Sequence, residues 1–260
     1  MDALFYLILG LVQGLTEFLP VSSSGHLSLG QALMGLDKED LTFTVLVHAA
    51  TALSTVVVFR KDMVGLLRGV MDRGDEGAQA RRYTGMLLLS AVPAGVLGLL
   101  FKDQIEALAT PQFVGAMLCV TALVLFLSQR AASGEQPLTA LRVLGIGAAQ
   151  AMAILPGISR SGSTIGAAVM LGISREEAAR FSFLMALIPI GGATLLTLKD
   201  LMEQPAIADG PWLGYALGTV AAFASGWAAC TWMIRLVKGS NLAGFGAYCL
   251  VVGVLAWTFG

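Results

Sequence analysis

Two stretches of this 260-residue chain set ionisable, hydroxyl and amide side chains within strongly apolar sequence: Gln13 to His26, QGLTEFLPVSSSGH, and Leu155 to Thr164, LPGISRSGST. In the first, Gln13 and Glu17 stand four apart and so share one helical face. Pro20 stops that helix, and Ser22, Ser23 and Ser24 suit the N-cap of the helix that follows. Gly25 permits close backbone approach, and His26 falls in the first turn. The N–H groups and positive dipole end of such a helix bind phosphate. A carboxylate and an imidazole beside them are the components of general acid–base work. In the second stretch, Ser159, Arg160, Ser161, Ser163 and Thr164 surround Gly162 at the start of another half-helix. Arg160 presents a rigid fork of donors that grips phosphate bidentately, where Lys would be a point charge. Together the stretches describe one phosphate-handling site. Glu17 would repel the anion unless it is protonated or a divalent cation lies between, so Mg²⁺ or Ca²⁺ at Glu17, with Gln13 beside it, is expected.

Plainer roles compete for the same residues. Ser22 to Ser24 taken alone read equally well as helix packing. Glu17 and Arg160 would also make a structural ion pair, although two buried charges cost much in desolvation and return little stability. His48 has no cluster around it in the sequence and reads as a packing or pocket-wall histidine. Gln150 mirrors Gln13 without an acidic partner and reads as the maker of a structural hydrogen bond, while Asp37, Glu39 and Asp40 read as a solvated loop. Cys119, Cys230 and Cys249 stand at unrelated spacings in apolar surroundings, which is neither a disulfide framework nor a metal cluster. Trp212, Trp227, Trp232 and Trp257 fit interfacial or packing positions.

The elements that hold these groups must lie in a membrane. The chain is 56% hydrophobic and 13% charged, with mean hydropathy +0.78, against about 25% charge in a soluble domain. A net charge of −1 gives no reason to expect a nucleic-acid partner. The longest polar stretch is Arg60 to Arg82, which leaves no room for a large soluble domain. The first apolar run, Leu4 to Leu19, ends at Pro20, and the run from Leu27 to Leu36 is too short to cross a core of ~30 Å. A re-entrant hairpin satisfies both. Leu41 to Phe59, Thr84 to Phe101 and Val114 to Leu127 then span. Leu138 to Leu155, Gln150 and the Pro156-Gly157 break repeat the opening, followed by a short run from Ile165 to Ile173. Phe181 to Leu198, interrupted at Pro189 and Gly191-Gly192, then Leu213 to Val237 and Leu242 to Phe259 complete the set.

The fold expected is therefore all-α and polytopic, one membrane domain over residues 1–260. It is an inverted repeat of two halves, 1–130 and 138–260, each a re-entrant helical hairpin followed by three transmembrane helices. An odd number of spans per half turns the second half upside down, and Pro/Gly-interrupted segments at matching places point to a midplane site. Placing Arg60 to Arg82 inside puts twelve Lys and Arg on the cytoplasmic side against Lys38, Lys102 and Lys199 outside, with Arg160 left in the membrane. Both termini then lie on the outer side.

At these residues a family resemblance becomes specific. QGLTEFLPVSSSGH resembles the Glu/Gln-x-x-x-Glu motif and the Ser-Ser-x-Gly-His segment of the undecaprenyl-diphosphate phosphatase family, also called bacitracin resistance protein. LPGISRSGST resembles its Pro-Gly-x-Ser-Arg-Ser-Gly-x-Thr motif. The resemblance implies a bacterial inner-membrane hydrolase that converts the C55 lipid diphosphate to its monophosphate and inorganic phosphate, recycling the carrier for peptidoglycan and conferring bacitracin resistance. By position, Glu17 and His26 resemble the catalytic acid and histidine, Arg160 the diphosphate-binding arginine, and Ser23, Ser159, Ser161 and Thr164 the polar site residues. Ser23 rivals His26 as nucleophile, and water attack stays open. Ser22, Ser24, Gly25 and Gly162 complete the expected substrate cradle. Gln13 stands where many members carry Glu, so a second anionic metal ligand is missing. A lipid-phosphate transporter or flippase is the alternative, since broken helices in inverted repeats also serve alternating access. Nothing in the sequence specifies whether the protein forms a homodimer.

Overall fold

Pro20 and the Pro156-Gly157 pair break the chain where the sequence predicts, and each break leaves a short helix leaning on its predecessor. The computed structural model describes residues 3–33, 40–101, 104–105, 107–132, 134–202, 211–238 and 242–260. Its helices are α1 (Ala3–Phe18), α2 (Ser23–Leu33), α3 (Leu41–Val58), α4 (Arg60–Met71), α5 (Asp75–Leu100), α6 (Pro111–Arg130), α7 (Ala140–Met152), α8 (Arg160–Met170), α9 (Arg175–Met202), α10 (Trp212–Lys238) and α11 (Ala243–Phe259). There is no strand among the described residues. Helices α5, α6, α9 and α10 are long and apolar enough to cross a membrane, and the bent pair α3–α4 makes a fifth candidate. Large apolar side chains such as Leu99, Leu213 and Trp257 stay exposed on the outer faces, as lipid contact requires. The chain is an all-α, multi-pass membrane protein.

Three expectations need correction. The Arg60 to Arg82 stretch is not simply a loop: α4 bends 74° away from α3 and buries none of its residues. Its exposed Val64, Leu67, Val70 and Met71 run beside Arg60, Lys61 and Arg68, the pattern of a helix lying along a membrane surface. Helix α9 continues unbroken through Pro189 and Gly191-Gly192, because a bilayer leaves backbone groups no solvent and so favours keeping the helical ladder. Asp40 is not a mere loop residue: it caps α3 at Phe43 N (3.0 Å) and accepts the hydroxyls of Tyr6 (3.1 Å) and Tyr215 (2.8 Å). Asp37 and Glu39 lie outside the described residues.

The packing is consistent with an inverted repeat. Helix α1 lies on α10 as α7 lies on α5, and α6 pairs with α11 as α3 does with α9. A constant offset relates the hairpins: Gln13 and Ser22 are nine apart, as are Gln150 and Ser159. Gly10 of α1 meets the Gly218 backbone, and its counterpart Gly147 of α7 meets that of Ser90. At the α6–α11 contact a Cβ on Gly115 would sit 2.6 Å from the Gly253 oxygen, and one on Gly253 would sit 2.7 Å from the Gly115 oxygen. Small residues thus let the backbones touch, which is how apolar helices associate in lipid.

Candidate active site

The two hairpin tips meet. Ser22, held at a left-handed φ of 70°, caps α2 by accepting from Gly25 N, and Ser159 caps α8 by accepting from Gly162 N. Each cap sets the next residue, Ser23 in one hairpin and Arg160 in the other, at the first helical position. Both reach one carboxylate. Ser23 Oγ donates to Glu17 Oε2 at 2.6 Å, and Arg160 Nη2 donates to Glu17 Oε1 at 2.6 Å. Gln13 Nε2 adds a third bond to Oε2 at 3.0 Å. Glu17 is only 7% exposed.

The remaining hydroxyls hold the tips together. Ser161 Oγ donates to the Leu19 carbonyl across the hairpins (3.1 Å) and lies 3.3 Å from Ser159 Oγ. Gly25 packs against Gly157, whose φ of +97° needs glycine, and Gly162 packs against Pro20. Thr121 of α6 clamps the second turn, donating to the Gly157 carbonyl (3.0 Å) and accepting from Ser159 N (2.9 Å). Thr164 bonds back to the Arg160 carbonyl and to the Ser182 hydroxyl of α9. Ser24 is exposed, 3.4 Å from Ser22 Oγ. The cluster of Glu17, Ser23, Arg160 and Gln13 therefore forms, while Ser22, Ser159, Ser161 and Thr164 spend hydrogen bonds on supporting it.

The imidazole nearest Glu17 is His48, not His26. His48 Nε2 lies 4.0 Å from Glu17 Oε2, and its Nδ1 lies 2.8 Å from the Thr44 carbonyl. The signal for it was a buried polar face in an otherwise apolar span, Thr51 and Thr55 following His48 at helical spacing. His26 turns toward α11: Nδ1 is 2.8 Å from the Ser22 carbonyl and Nε2 is 2.7 Å from the Tyr248 hydroxyl. A carbonyl only accepts, so Nδ1 carries a proton in both rings, which in His26 leaves Nε2 to accept from the Tyr248 hydroxyl. Nothing in the sequence marked Tyr248.

Two buried atoms at the site lack a hydrogen-bond partner among the described residues, Arg160 Nη1 and Gln13 Oε1. A buried unpaired donor costs about 1–3 kcal/mol, so an ion pair built for stability alone would use both arms of Arg160. The free donor leaves room for an anion. The unclaimed Gln13 oxygen, one turn from the Glu17 carboxylate, fits a hard divalent cation that takes its other ligands from phosphate. Among the described residues no three His, Cys, Asp or Glu side chains group as a metal cage. Gln150, expected to hydrogen-bond, has neither amide atom partnered among the described residues.

The profile of the family described as bacitracin resistance protein BacA matches residues 6–255. A protein of Christiangramia forsetii named undecaprenyl-diphosphatase is 47% identical over 100% of this chain and 98% of its own length. Relatives of the same name from Bacteroides fragilis (strain ATCC 25285) and Salinibacter ruber are 45% and 43% identical, each over 96% of this chain and 95% and 96% of their own lengths. A match from end to end that carries both hairpins leaves one assignment: the chain belongs to the bacitracin resistance protein BacA family.

Proposed function

We propose that this chain hydrolyses undecaprenyl diphosphate to undecaprenyl phosphate and inorganic phosphate in the bacterial plasma membrane, with both termini outside. The product is the lipid carrier for peptidoglycan synthesis, and its supply underlies bacitracin resistance. The observation that carries the reading is Arg160, one arm bonded to Glu17 and the other buried with no partner among the described residues. Phosphate oxygens match that fork. The α2 and α8 N-termini add N–H groups and dipole ends beside it.

A diphosphate entering here draws Arg160 from Glu17 onto itself and leaves the carboxylate to take the Ser23 proton across an existing 2.6 Å bond. Ser23 Oγ attacks the distal phosphorus, the bridging P–O bond breaks, and the lipid monophosphate departs. Water, displacing the Tyr248 hydroxyl from His26 Nε2, gives that nitrogen its proton and attacks the phosphoserine; the Ser23 Oγ–P bond breaks, Glu17 returns the proton to Ser23 Oγ, and inorganic phosphate leaves. His48 stands behind Glu17 as the second imidazole of the pocket. A divalent cation held by Glu17 and Gln13 would neutralise phosphate charge.

Phosphate release from the C55 diphosphate by purified protein in detergent is the test. Release is expected, with Arg160→Ala and Ser23→Ala each lowering kcat/KM by roughly 10²–10³ at unchanged melting temperature. EDTA should suppress turnover and added Mg²⁺ or Ca²⁺ restore it. A pure transporter releases no phosphate, and that result would sink the reading.

A further inference from the structure

We propose that Tyr248 is a positioning residue for His26, fixing which ring nitrogen works and where it points. The inference rests on the hydrolase reading for its catalytic meaning, and on geometry alone for the contact. Tyr248 sits on α11, 222 residues from its partner, and its hydroxyl reaches His26 Nε2 at 2.7 Å. The two rings also stack, centroids 5.5 Å apart and planes 10° from parallel. The backbone fixes the other nitrogen, because the Ser22 carbonyl accepts from Nδ1 at 2.8 Å. The same Ser22 caps α2 through its side chain.

His26 is thus held at three points. Ser22 decides the tautomer, the stack decides the ring plane, and the Tyr248 O–H, which donates, keeps Nε2 an acceptor. An imidazole restrained in this way is a preorganised base: its one Nε2 lone pair is held by the Tyr248 hydroxyl, and a water that displaces that hydroxyl meets a lone pair already aimed. The position also matters. Glu17 is 7% exposed whereas Tyr248 is 45% exposed, so the pair lies nearer the molecular surface than the carboxylate does. The turn of α11 that carries Tyr248 is anchored on the first hairpin, since the adjacent Cys249 Sγ points to the Pro20 carbonyl at 3.6 Å. A shift of the hairpin tip therefore moves His26 and Tyr248 together.

The test separates the contact from the chemistry. The chain holds two histidines, His26 and His48, so each can be followed by mass spectrometry during carbethoxylation with diethyl pyrocarbonate, which attacks unprotonated imidazole nitrogen. Tyr248→Phe keeps the stack and removes the hydroxyl. It should speed modification of His26 by about fivefold, the equivalent of one net hydrogen bond, and leave His48 unchanged as internal reference. In phosphate release the same variant should lower kcat by about tenfold, as loss of an orienting partner of a histidine does, with KM within about twofold. The alkaline and acid limbs of its pH–kcat profile should move relative to wild type, which a packing defect would not cause. Unchanged His26 reactivity overturns the contact. A kcat that is unchanged or raised overturns the positioning role, as does a fall accompanied by a lower melting temperature and altered His48 reactivity. If wild-type protein releases no phosphate but His26 reactivity still rises, the hydrolase reading fails and the Tyr248–His26 contact stands.

Discussion

Glu17 accepts from Gln13, Ser23 and Arg160, and the three donors differ in what they do besides. Arg160→Lys keeps a charge but loses the fork, so phosphate release should fall by roughly 10² or more, measured as kcat/KM with melting unchanged. The two mirrored amides should behave oppositely. Gln13→Leu should depress turnover, whereas Gln150→Leu should leave it within about twofold and hold or raise the melting temperature, since it removes a buried amide that has no partner among the described residues. Equal losses in both would remove the distinction between site and scaffold. Glu17, Ser23 and Arg160 were legible because a charge or a hydroxyl run is conspicuous in apolar sequence. His48 was less so, because its polar face in α3 reads as packing until α3 meets α1 at Glu17, and Tyr248 was not, because it gains its polar neighbour only when α11 meets α2.

At the level of elements, glycine spacing rather than side-chain size sets how close the helices come. A Cβ on Gly147 would sit 2.6 Å from the Ser90 oxygen, whereas Gly95 has nothing within 4 Å. Gly147→Ala should therefore cost about 1–3 kcal/mol through displaced backbone, and Gly95→Ala should be neutral or gain up to about 1 kcal/mol from helix propensity. Thermal unfolding of the two variants in one detergent checks the sign of each. Hydropathy located both hairpins and the spans α3, α5 and α6. It missed α4, whose apolar and basic residues cancel in any average. It also broke α9 at Pro189, because proline in a sequence is read against an aqueous alternative that lipid does not offer.

For the whole molecule, Arg180 of α9 pairs with Asp62 of α4 at 2.7 Å and with Glu177 at 3.5 Å, and lies 5.3 Å over the Tyr83 ring of α5. This cluster ties the surface helix to two spans. Orientation is testable by single cysteines in a chain freed of its own three. Lys61→Cys should label only when the inner face is open, and Thr258→Cys should label from outside in intact cells; the reverse pattern would invert the topology.

Ser23 and Arg160 occupy corresponding places in the two hairpins yet close on a single acid. Two separate, identical subunits arranged about the same pseudo-axis would have to present either two serines, leaving the acid without a cation, or two guanidiniums pressed together. Two halves that differ in sequence put a neutral hydroxyl on one side and a fixed cation on the other. Halves of equal sequence could not supply that asymmetry.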